Sequence, residues 1–175
     1  IEESYGPITV LINNAGITKD GLFVRMKEDD WDRVLAVNLK GSFLCGQQAA
    51  KHMMKQRQGA IVNIASIVGV MGNAGQANYS ASKAGVVGMA LPIARDLAAV
   101  GVRVNTVAPG LIDTPIYGEG PESDAFKAHL GQSVLFPKRL GSAEELAFAV
   151  VDCITNPYMN AEVIRLDGGI RMPPK

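Results

Sequence analysis

Apolar residues fall into four short runs along the chain, and these runs predict the strands of a buried sheet. The first, Ile8 to Ile12, is rich in β-branched residues and is closed by the turn-forming sequence Asn-Asn-Ala-Gly. The second, Ala60 to Ala65, is almost continuously apolar, which is typical of a parallel strand covered on both faces. The third, Val102 to Ala108, alternates apolar and polar positions and predicts a less completely buried strand. The fourth, Glu162 to Leu166, ends at Asp-Gly-Gly.

Three longer segments have the apolar spacing of amphipathic helices. Between Glu28 and about Gln56 acidic residues crowd the first turn, and Gly59 follows as the expected stop. An Ala-rich helix is predicted from about Asn78 to Val100, with a kink at Pro92, which lacks the N–H that a helix interior uses. Residues 142–145, Ser-Ala-Glu-Glu, form a capping box before a third helix that stops at Asn-Pro.

The order of these elements predicts the fold class. Strands alternate with helices, as in an open parallel sheet with helices on both faces, so we expect one α/β domain over residues 1–175. A glycine-rich loop is expected after the second strand. Residues 111–140 are rich in Pro and Gly around a short helical pattern near 123–130, a composition that indicates a mobile lid over a substrate site.

Composition narrows the classes of function. The 17 basic and 17 acidic residues give zero net charge, which argues against nucleic acid as a partner. No apolar run is long enough for a membrane span. Cys45 and Cys153 lack the spacing of a zinc site or a disulfide framework. We therefore expect no metal, and a reducing cytoplasm fits. The sequence begins at Ile1 and has no signal-peptide pattern, so we expect it to be truncated at its front.

Tyr79 and Lys83 are the first candidates for chemistry. They lie four residues apart in the predicted second helix, so both side chains project from one face about one turn apart. A cation beside a tyrosine favours the phenolate, so we expect Lys83 to lower the pKa of Tyr79 toward a value useful for general acid or base catalysis.

Two polar residues extend this pattern. Ser66 closes the second strand, thirteen residues before Tyr79, at the edge of a parallel sheet where ligands bind. Asn38 falls on the apolar stripe of the first helix, where it could hold a water that passes protons onward from Lys83. Each residue alone has an ordinary structural explanation, as a turn residue or as a satisfied interhelical hydrogen bond. The ordered combination is hard to produce by accident.

This combination resembles the short-chain dehydrogenase/reductases, NAD(P)-dependent oxidoreductases with a Rossmann fold, over essentially the whole chain. The resemblance implies that Tyr79 is the acid/base and that Ser66 polarises the substrate carbonyl. It also implies that Lys83 tunes Tyr79 and holds the nicotinamide ribose, and that Asn38 anchors a proton-relay water. These four are the predicted catalytic residues.

The same resemblance implies contacts with NAD or NADP and with substrate. The candidate cofactor-binding residues are Asn14, Ala15, Gly16, Tyr79, Lys83, Pro109, Gly110, Ile112 and Thr114, of which the first three lie beside the adenosine half. The candidate substrate contacts are Ser66, Gln76 and Tyr79.

Two subfamilies are recognisable. Up to about Ala90 the sequence resembles 3-oxoacyl-[acyl-carrier-protein] reductases, through stretches such as Leu-Ile-Asn-Asn-Ala-Gly-Ile-Thr-Lys-Asp. From Leu91 it is similar to type II 3-hydroxyacyl-CoA dehydrogenases (type 10 17β-hydroxysteroid dehydrogenases), including Glu-Val-Ile-Arg-Leu-Asp-Gly-Gly-Ile-Arg-Met at 162–172. Both imply hydride transfer at C3 of an acyl thioester. A broad-specificity alcohol or hydroxysteroid dehydrogenase and an inactive truncated module remain the alternatives.

The family's glycine-rich phosphate loop and its NAD/NADP selectivity residue are not found in this sequence. The resemblance implies three further strands and three further helices, roughly 75 residues by the size of βαβ units. Without them the strand at 8–12 would be an open edge with apolar side chains bare on both faces, so we expect a complementary N-terminal segment or another chain to cover it. The resemblance also implies a homotetramer whose interfaces are the two long helices and the last strand.

Overall fold

The computed structural model describes residue 4 and residues 6–170, and within them a parallel four-stranded sheet. The strands are β1 (Val10–Asn13), β2 (Gly59–Ile64), β3 (Val102–Pro109) and β4 (Val163–Leu166), and they lie side by side in that order. Every neighbouring pair is parallel. The predicted α/β class is confirmed, with strand ends displaced by one or two residues.

Within residues 6–170, six α-helices connect and cover the strands. They are α1 (Glu28–Leu35), α2 (Gly41–Gln56), α3 (Val68–Met71), α4 (Ala77–Leu97), α5 (Pro121–Gly131) and α6 (Ala143–Thr155). Short 3-10 turns occur at Phe23–Arg25, Ala98–Val100 and Pro115–Tyr117. The predicted capping box is present at the start of α6, where the Ser142 hydroxyl accepts from the Glu145 N–H and the Glu145 carboxylate accepts from the Ser142 N–H.

The helices cover both faces of the sheet, as a doubly wound fold requires. On one face α2 and α4 bury Met53, Ala90 and Leu97 against Ile61 and Val104. On the other face α6 packs against β2 and β3; this second cluster comprises Val62, Ile64, Val107, Val150 and Cys153. Because helices cover both faces of β2 and β3, these two strands form the rigid centre that carries the loops at the carboxyl edge.

The helical segment at 28–56 departs from the predicted continuous helix. A π-helical turn at Ala36–Lys40 separates α1 from α2, and its middle residue is the fully buried Asn38. Such turns occur mostly as single insertions in α-helices. The segment ends at Gln56, as predicted, but the residue that ends it is Arg57 and not Gly59, because Arg57 adopts the left-handed conformation that turns the chain toward β2.

Two further expectations require correction. The glycine-rich loop after β2 contains the short helix α3. Strand β3 is less completely buried than β2, as predicted, because its interior residue Arg103 is half-buried. The alternation nevertheless fails at Asn105, which is only 1% exposed. Its side-chain amide donates to Met159 O and its side-chain oxygen accepts from the Glu162 N–H. These hydrogen bonds satisfy a polar side chain inside the protein, which an alternating pattern alone suggested would be solvated.

Strand β1 is an edge of the described sheet, but its two faces differ. Leu11 packs against the cluster formed by α2 and α4, whereas Val10 and Ile12 are 39% and 46% exposed on the opposite face. The expectation of apolar side chains bare on both faces is therefore wrong, because α2 covers one of them.

Part of the predicted lid segment packs against the rest of the domain. Its helix α5 is longer than the predicted 123–130 pattern, and Ile112 bridges to Gly141 beside the buried Val134 and Leu140. The last strand is β4, and the adjoining Arg171 and Met172 lie outside the described residues.

Candidate active site

Ser66, Tyr79 and Lys83 meet at the carboxyl edge of β2. Ser66 follows the end of β2 by two residues, and its side chain hydrogen bonds with that of Tyr79. Helix α4 presents Tyr79 and Lys83 on one face, with the Lys83 Nζ 5.7 Å from the centroid of the Tyr79 ring. The four-residue spacing therefore places the side chains of Tyr79 and Lys83 next to each other, as predicted.

The Lys83 ammonium is held inside the protein. Its Nζ donates to Ile64 O at 2.7 Å, and the residue is 4% exposed. Burial penalises the charged form and lowers the pKa of Lys83 to about 8. The side chain is thus anchored to the last residue of β2, beside the tyrosine.

The pKa of Tyr79 is shifted in the direction opposite to the sequence-based expectation. Burial raises it above the ordinary tyrosine value, and the charges of Tyr117 and Asp20 raise it further, while the hydrogen bond with Ser66 lowers it. The prediction that Lys83 lowers this pKa is wrong for the structure as described, since burial of the phenol has the largest effect. The phenol therefore keeps its proton at neutral pH, and the raised pKa makes it a weaker acid than an ordinary tyrosine.

Asn38 connects the π-helical turn to the loop after β1 and to α4. Its Oδ1 accepts from the Ile17 N–H at 2.8 Å, and its Nδ2 donates to Ile17 O at 3.0 Å and to Ser82 Oγ at 3.1 Å. A Cβ placed on Gly16 would lie 3.4 Å from both Asn38 Oδ1 and Lys83 Nζ. Both amide protons of Asn38 are engaged within the protein, and its role toward a water stays a prediction.

The loop between β1 and α1 is tied to the start of α4. The buried Asn78 donates to Lys19 O at 2.9 Å, and the Gly21 N–H donates to Gly75 O at 2.9 Å. The Gln76 side-chain amide, predicted as a substrate contact, donates to both carboxylate oxygens of Asp20. Gln76 is therefore occupied by a protein partner at the mouth of the site.

The candidate cofactor residues lie at the same edge of the sheet. Asn14, Ala15 and Gly16 form an exposed turn directly after β1. Pro109 ends β3, and its carbonyl accepts from the Ile67 N–H, next to Ser66. The remaining residues follow β3: Gly110 packs on Asp167, Ile112 is buried, and Thr114 precedes the 3-10 turn that contains Tyr117.

These residues fit the end of a nicotinamide cofactor that carries the nicotinamide ribose. A lysine ammonium has three donors, and the hydrogen bond to Ile64 O uses one of them, which leaves donors for ribose hydroxyl groups. The turn at Asn14 to Gly16 is exposed and has no bulky side chain, so a ligand can approach its backbone closely.

Several residues near the site were missed in the sequence. Tyr117 lies in the lid segment, where burial raises the pKa of its own phenol, and its ring contacts Phe126 with centroids 6.2 Å apart. Asp20 and Asn78 hold the loop after β1, and Asn13 donates to the Asn63 side chain of the neighbouring strand at 2.8 Å. Only Asn13 and Asn63 carried a signal, Asn13 as a polar residue directly after an apolar run and Asn63 as a polar residue within one.

The described residues contain no group of three or more His, Cys, Asp or Glu side chains arranged to hold a metal. Among the helices of residues 6–170, none has both the length and the apolar character that crossing a bilayer demands. Cys45 is exposed and Cys153 is buried, and both are free thiols.

A doubly wound parallel sheet with a serine, a tyrosine and a lysine joined at its carboxyl edge defines the class as a Rossmann-like oxidoreductase. The family model for short chain dehydrogenase matches residues 1–124. The chain belongs to the short-chain dehydrogenase family and is an oxidoreductase that depends on a nicotinamide cofactor.

Similar curated proteins carry a more specific name. The chain is 48% identical over 172 residues to 3-oxoacyl-[acyl-carrier-protein] reductase of Thermotoga maritima, covering 97% of this chain and 69% of the relative. It is 44% identical to the protein of that name in Staphylococcus epidermidis and 43% identical to that in Vibrio cholerae, each match covering 98% of this chain and 70% of the relative. These matches cross Leu91, where we expected the resemblance to change, so the second resemblance stays a prediction.

Proposed function

We propose that this protein reduces the C3 carbonyl of a 3-oxoacyl thioester to a secondary alcohol. The observation that carries the proposal is the arrangement of Ser66, Tyr79 and Lys83 beside one another at the carboxyl edge of the sheet. The thioester is inferred from the relatives, which are named as reductases of 3-oxoacyl groups on acyl-carrier protein. An acyl group on either acyl-carrier protein or coenzyme A presents the same reacting carbonyl.

In this proposal Tyr79 gives its phenolic proton to the carbonyl oxygen as the C3 carbon becomes tetrahedral. A bound nicotinamide cofactor supplies the hydride to C3. An ordinary tyrosine is protonated at neutral pH, and burial raises the pKa of Tyr79 further, so the phenol starts the reaction with its proton in place. Ser66, which already hydrogen bonds with Tyr79, donates to the same oxygen and favours the negative charge that develops there.

Lys83 and Asn38 support Tyr79 from inside the protein. Lys83 binds the nicotinamide ribose with the donors that Ile64 does not take. The phenolate left on Tyr79 then takes up a proton from solvent through a proton-relay water. Asn38 anchors that water near the turn at Gly16. Further cofactor contacts come from Asn14, Ala15, Pro109, Gly110, Ile112 and Thr114.

Substrate selection is assigned to the lid, residues 111–140. Within it, Tyr117 is electrostatically coupled to Tyr79, so the lid approaches the reacting end of the site. The free thiols Cys45 and Cys153 favour a reducing compartment such as the cytoplasm.

The proposed assembly is a homotetramer that uses the outer surface of α1, α2 and α4. An open apolar groove crosses this surface, and its lining includes Leu35, Leu39, Phe43 and Met89. Phe43 is 47% exposed and Leu91, on the same helix as Met89, is 43% exposed. Apolar grooves of this kind on helices are typical of protein interfaces.

A substrate panel tests the proposed reaction. The protein is assayed for loss of NADH and of NADPH absorbance with acetoacetyl thioesters of coenzyme A and of acyl-carrier protein, and for the reverse reaction with simple secondary alcohols and hydroxysteroids. We expect kcat/KM for a 3-oxoacyl thioester to exceed that for the other compounds by at least about tenfold, the factor worth 1.4 kcal/mol. Equal or higher kcat/KM for alcohols or steroids would contradict the assignment and favour a broad-specificity dehydrogenase.

A further inference from the structure

Asn78 is a fully buried polar residue at the start of α4, directly before Tyr79 in the sequence. A side-chain amide carries an acceptor oxygen and two donor hydrogens, and burying it away from water is costly unless these groups are paired. Here the amide pairs with the backbone of three separate segments. These hydrogen bonds account for an asparagine at a position where packing alone would favour an apolar residue.

The acceptor half of the amide caps the start of α4. The first N–H groups of a helix have no partner within it, and the residue that precedes the helix usually supplies one. In α4 that residue is Gln76, whose side chain makes no such hydrogen bond. Instead, Asn78 Oδ1 accepts from the Tyr79 N–H at 2.7 Å. The backbone of Tyr79 is therefore held by the side chain of its neighbour.

The donor half of the amide connects α4 to two other segments. Asn78 Nδ2 lies 2.9 Å from Lys19 O, in the loop between β1 and α1, and 3.4 Å from Asp30 O, in the first turn of α1. The same loop begins with the exposed turn at residues 14–16, which we propose as a cofactor contact. One buried side chain thus joins this loop to the backbone that carries the phenol.

The carbonyl group of Tyr79 is linked to the same loop. Ser82 Oγ donates to Tyr79 O at 2.8 Å and accepts from Asn38 Nδ2 at 3.1 Å. Asn38 in turn hydrogen bonds with both backbone polar groups of Ile17, in the loop after β1. Both backbone polar groups of Tyr79 therefore lead, through one or two buried side chains, to that loop.

We propose that Asn78 is a positioning residue for the reduction: by joining the Tyr79 N–H to Lys19 O, it sets the place of the phenol relative to the loop after β1. This inference rests on the proposed function, in which the phenol must meet the carbonyl oxygen while the nicotinamide meets the carbon. Such a reaction is sensitive to displacement, since a shift of about 1 Å can lower its rate about a hundredfold. Because Asn78 is fully buried, it acts through Tyr79 and not on the substrate.

The variants Asn78→Ala and Asn105→Ala form a matched pair. Asn105 is 1% exposed, and its amide likewise pairs with backbone, donating to Met159 O and accepting from the Glu162 N–H. These partners precede β4, so they lie at the amino edge of the parallel sheet, opposite to Tyr79. Each substitution removes an equally buried amide, so both should lower the melting temperature, whereas only the substitution at Asn78 should act on the reaction.

Steady-state kinetics distinguish positioning from general support of the fold. With an acetoacetyl thioester, well below both melting temperatures, we expect Asn78→Ala to lower kcat by about tenfold to a hundredfold with little change in KM for the cofactor. Asn105→Ala should keep the parental kcat. Equal kcat values for the two variants would show a purely structural role and overturn the inference.

A spectroscopic measurement tests the position of the phenol without turnover. The nuclear Overhauser effect between the Tyr79 ring and the Ser66 side chain reports their separation, and the ring signals are assigned by their loss in Tyr79→Phe. This effect should weaken in Asn78→Ala and stay parental in Asn105→Ala. An unchanged effect in Asn78→Ala would overturn the inference. A parent chain that shows these changes but fails to reduce thioesters contradicts the proposed function alone.

Asn78→Ser covers the case in which Asn78→Ala does not fold. A serine hydroxyl can still accept from an N–H at the start of a helix, but it is too short to reach Lys19 O as the amide does. We expect this variant to fold, with a lower kcat and a weakened contact between Tyr79 and Ser66. Parental values of both would overturn the inference, because the link to the loop would then be dispensable.

Discussion

At the scale of single residues, the site is built from polar side chains buried for a purpose other than packing. Asn38 and Asn78 are fully buried, and each ties a loop to a helix through its side-chain amide. Lys83 is the costliest of these residues, because an ammonium loses most of its hydration at 4% exposure and gains the Ile64 carbonyl as its partner. A buried ammonium of this kind lowers the stability of the fold, but it places a charged donor at the candidate active site.

The cost of burying Lys83 predicts a pH dependence of stability. The folded-state pKa of about 8 lies below the value of an unfolded lysine, so the penalty is fully present below pH 8 and is relieved as pH rises toward 10. Relative to Lys83→Met, the parent chain should gain about 1–2 kcal/mol of unfolding free energy between pH 8 and 9.5, measured by urea denaturation. A difference between the two proteins that is independent of pH would contradict burial of the charge.

At the scale of elements, α4 is the helix on which the candidate active site depends most, because it carries Tyr79, Ser82 and Lys83. Its placement depends on α3, the short helix after β2. Gly69 of α3 touches α4 so closely that a Cβ there would lie 2.8 Å from backbone atoms of Lys83 and Ala84. The contact fixes the distance between Ser66 and the two residues of α4.

Gly69→Ala should therefore damage both stability and catalysis. Backbone cannot yield as a flexible side chain does, so we expect a loss of about 1–3 kcal/mol, typical of overpacking, together with a lower kcat. Gly88→Ala is the matched control, because a Cβ at Gly88 in α4 meets nothing within 4 Å. That variant should be neutral or more stable by up to about 1 kcal/mol in thermal or urea unfolding. Equal effects of the two substitutions would contradict the close approach.

At the scale of the whole molecule, two of the apolar surfaces that the described part of the chain exposes bear on its assembly. One is the face of β1 that presents Val10 and Ile12. The other is the groove of α1, α2 and α4, with Phe43 beside Met89. Only the second lies on elements that the proposed tetramer uses.

The proposed tetramer predicts that Phe43→Ser weakens the assembly. A polar residue in the middle of an apolar interface loses burial of the aromatic ring, so light scattering during size-exclusion chromatography should show a shift toward smaller species. Val70→Ser, at a residue 56% exposed on α3, serves as the control and should keep the parental mass. An unchanged mass for Phe43→Ser would contradict the assignment of this surface.

The sequence was sufficient for those features that depend on periodicity. The alternation of strands and helices, the capping box of α6 and the shared face of Tyr79 and Lys83 all follow from regular spacing. It was insufficient where long-range contacts decide. Local sequence patterns do not show which distant segments pack together. That packing decides the burial of Asn105, the raised pKa of Tyr79 and the placing of Asp20 and Tyr117 near Tyr79.

The most direct test of the central claim is the rate of 3-oxoacyl thioester reduction by Tyr79→Phe beside the parent chain. The substitution removes one oxygen from a half-buried ring, so the fold should be retained, as checked by circular dichroism and thermal unfolding. We predict a fall in kcat of at least about a hundredfold, the lower range for a lost general acid. A variant that folds normally and keeps near-parental activity would contradict the role of Tyr79 as the proton donor.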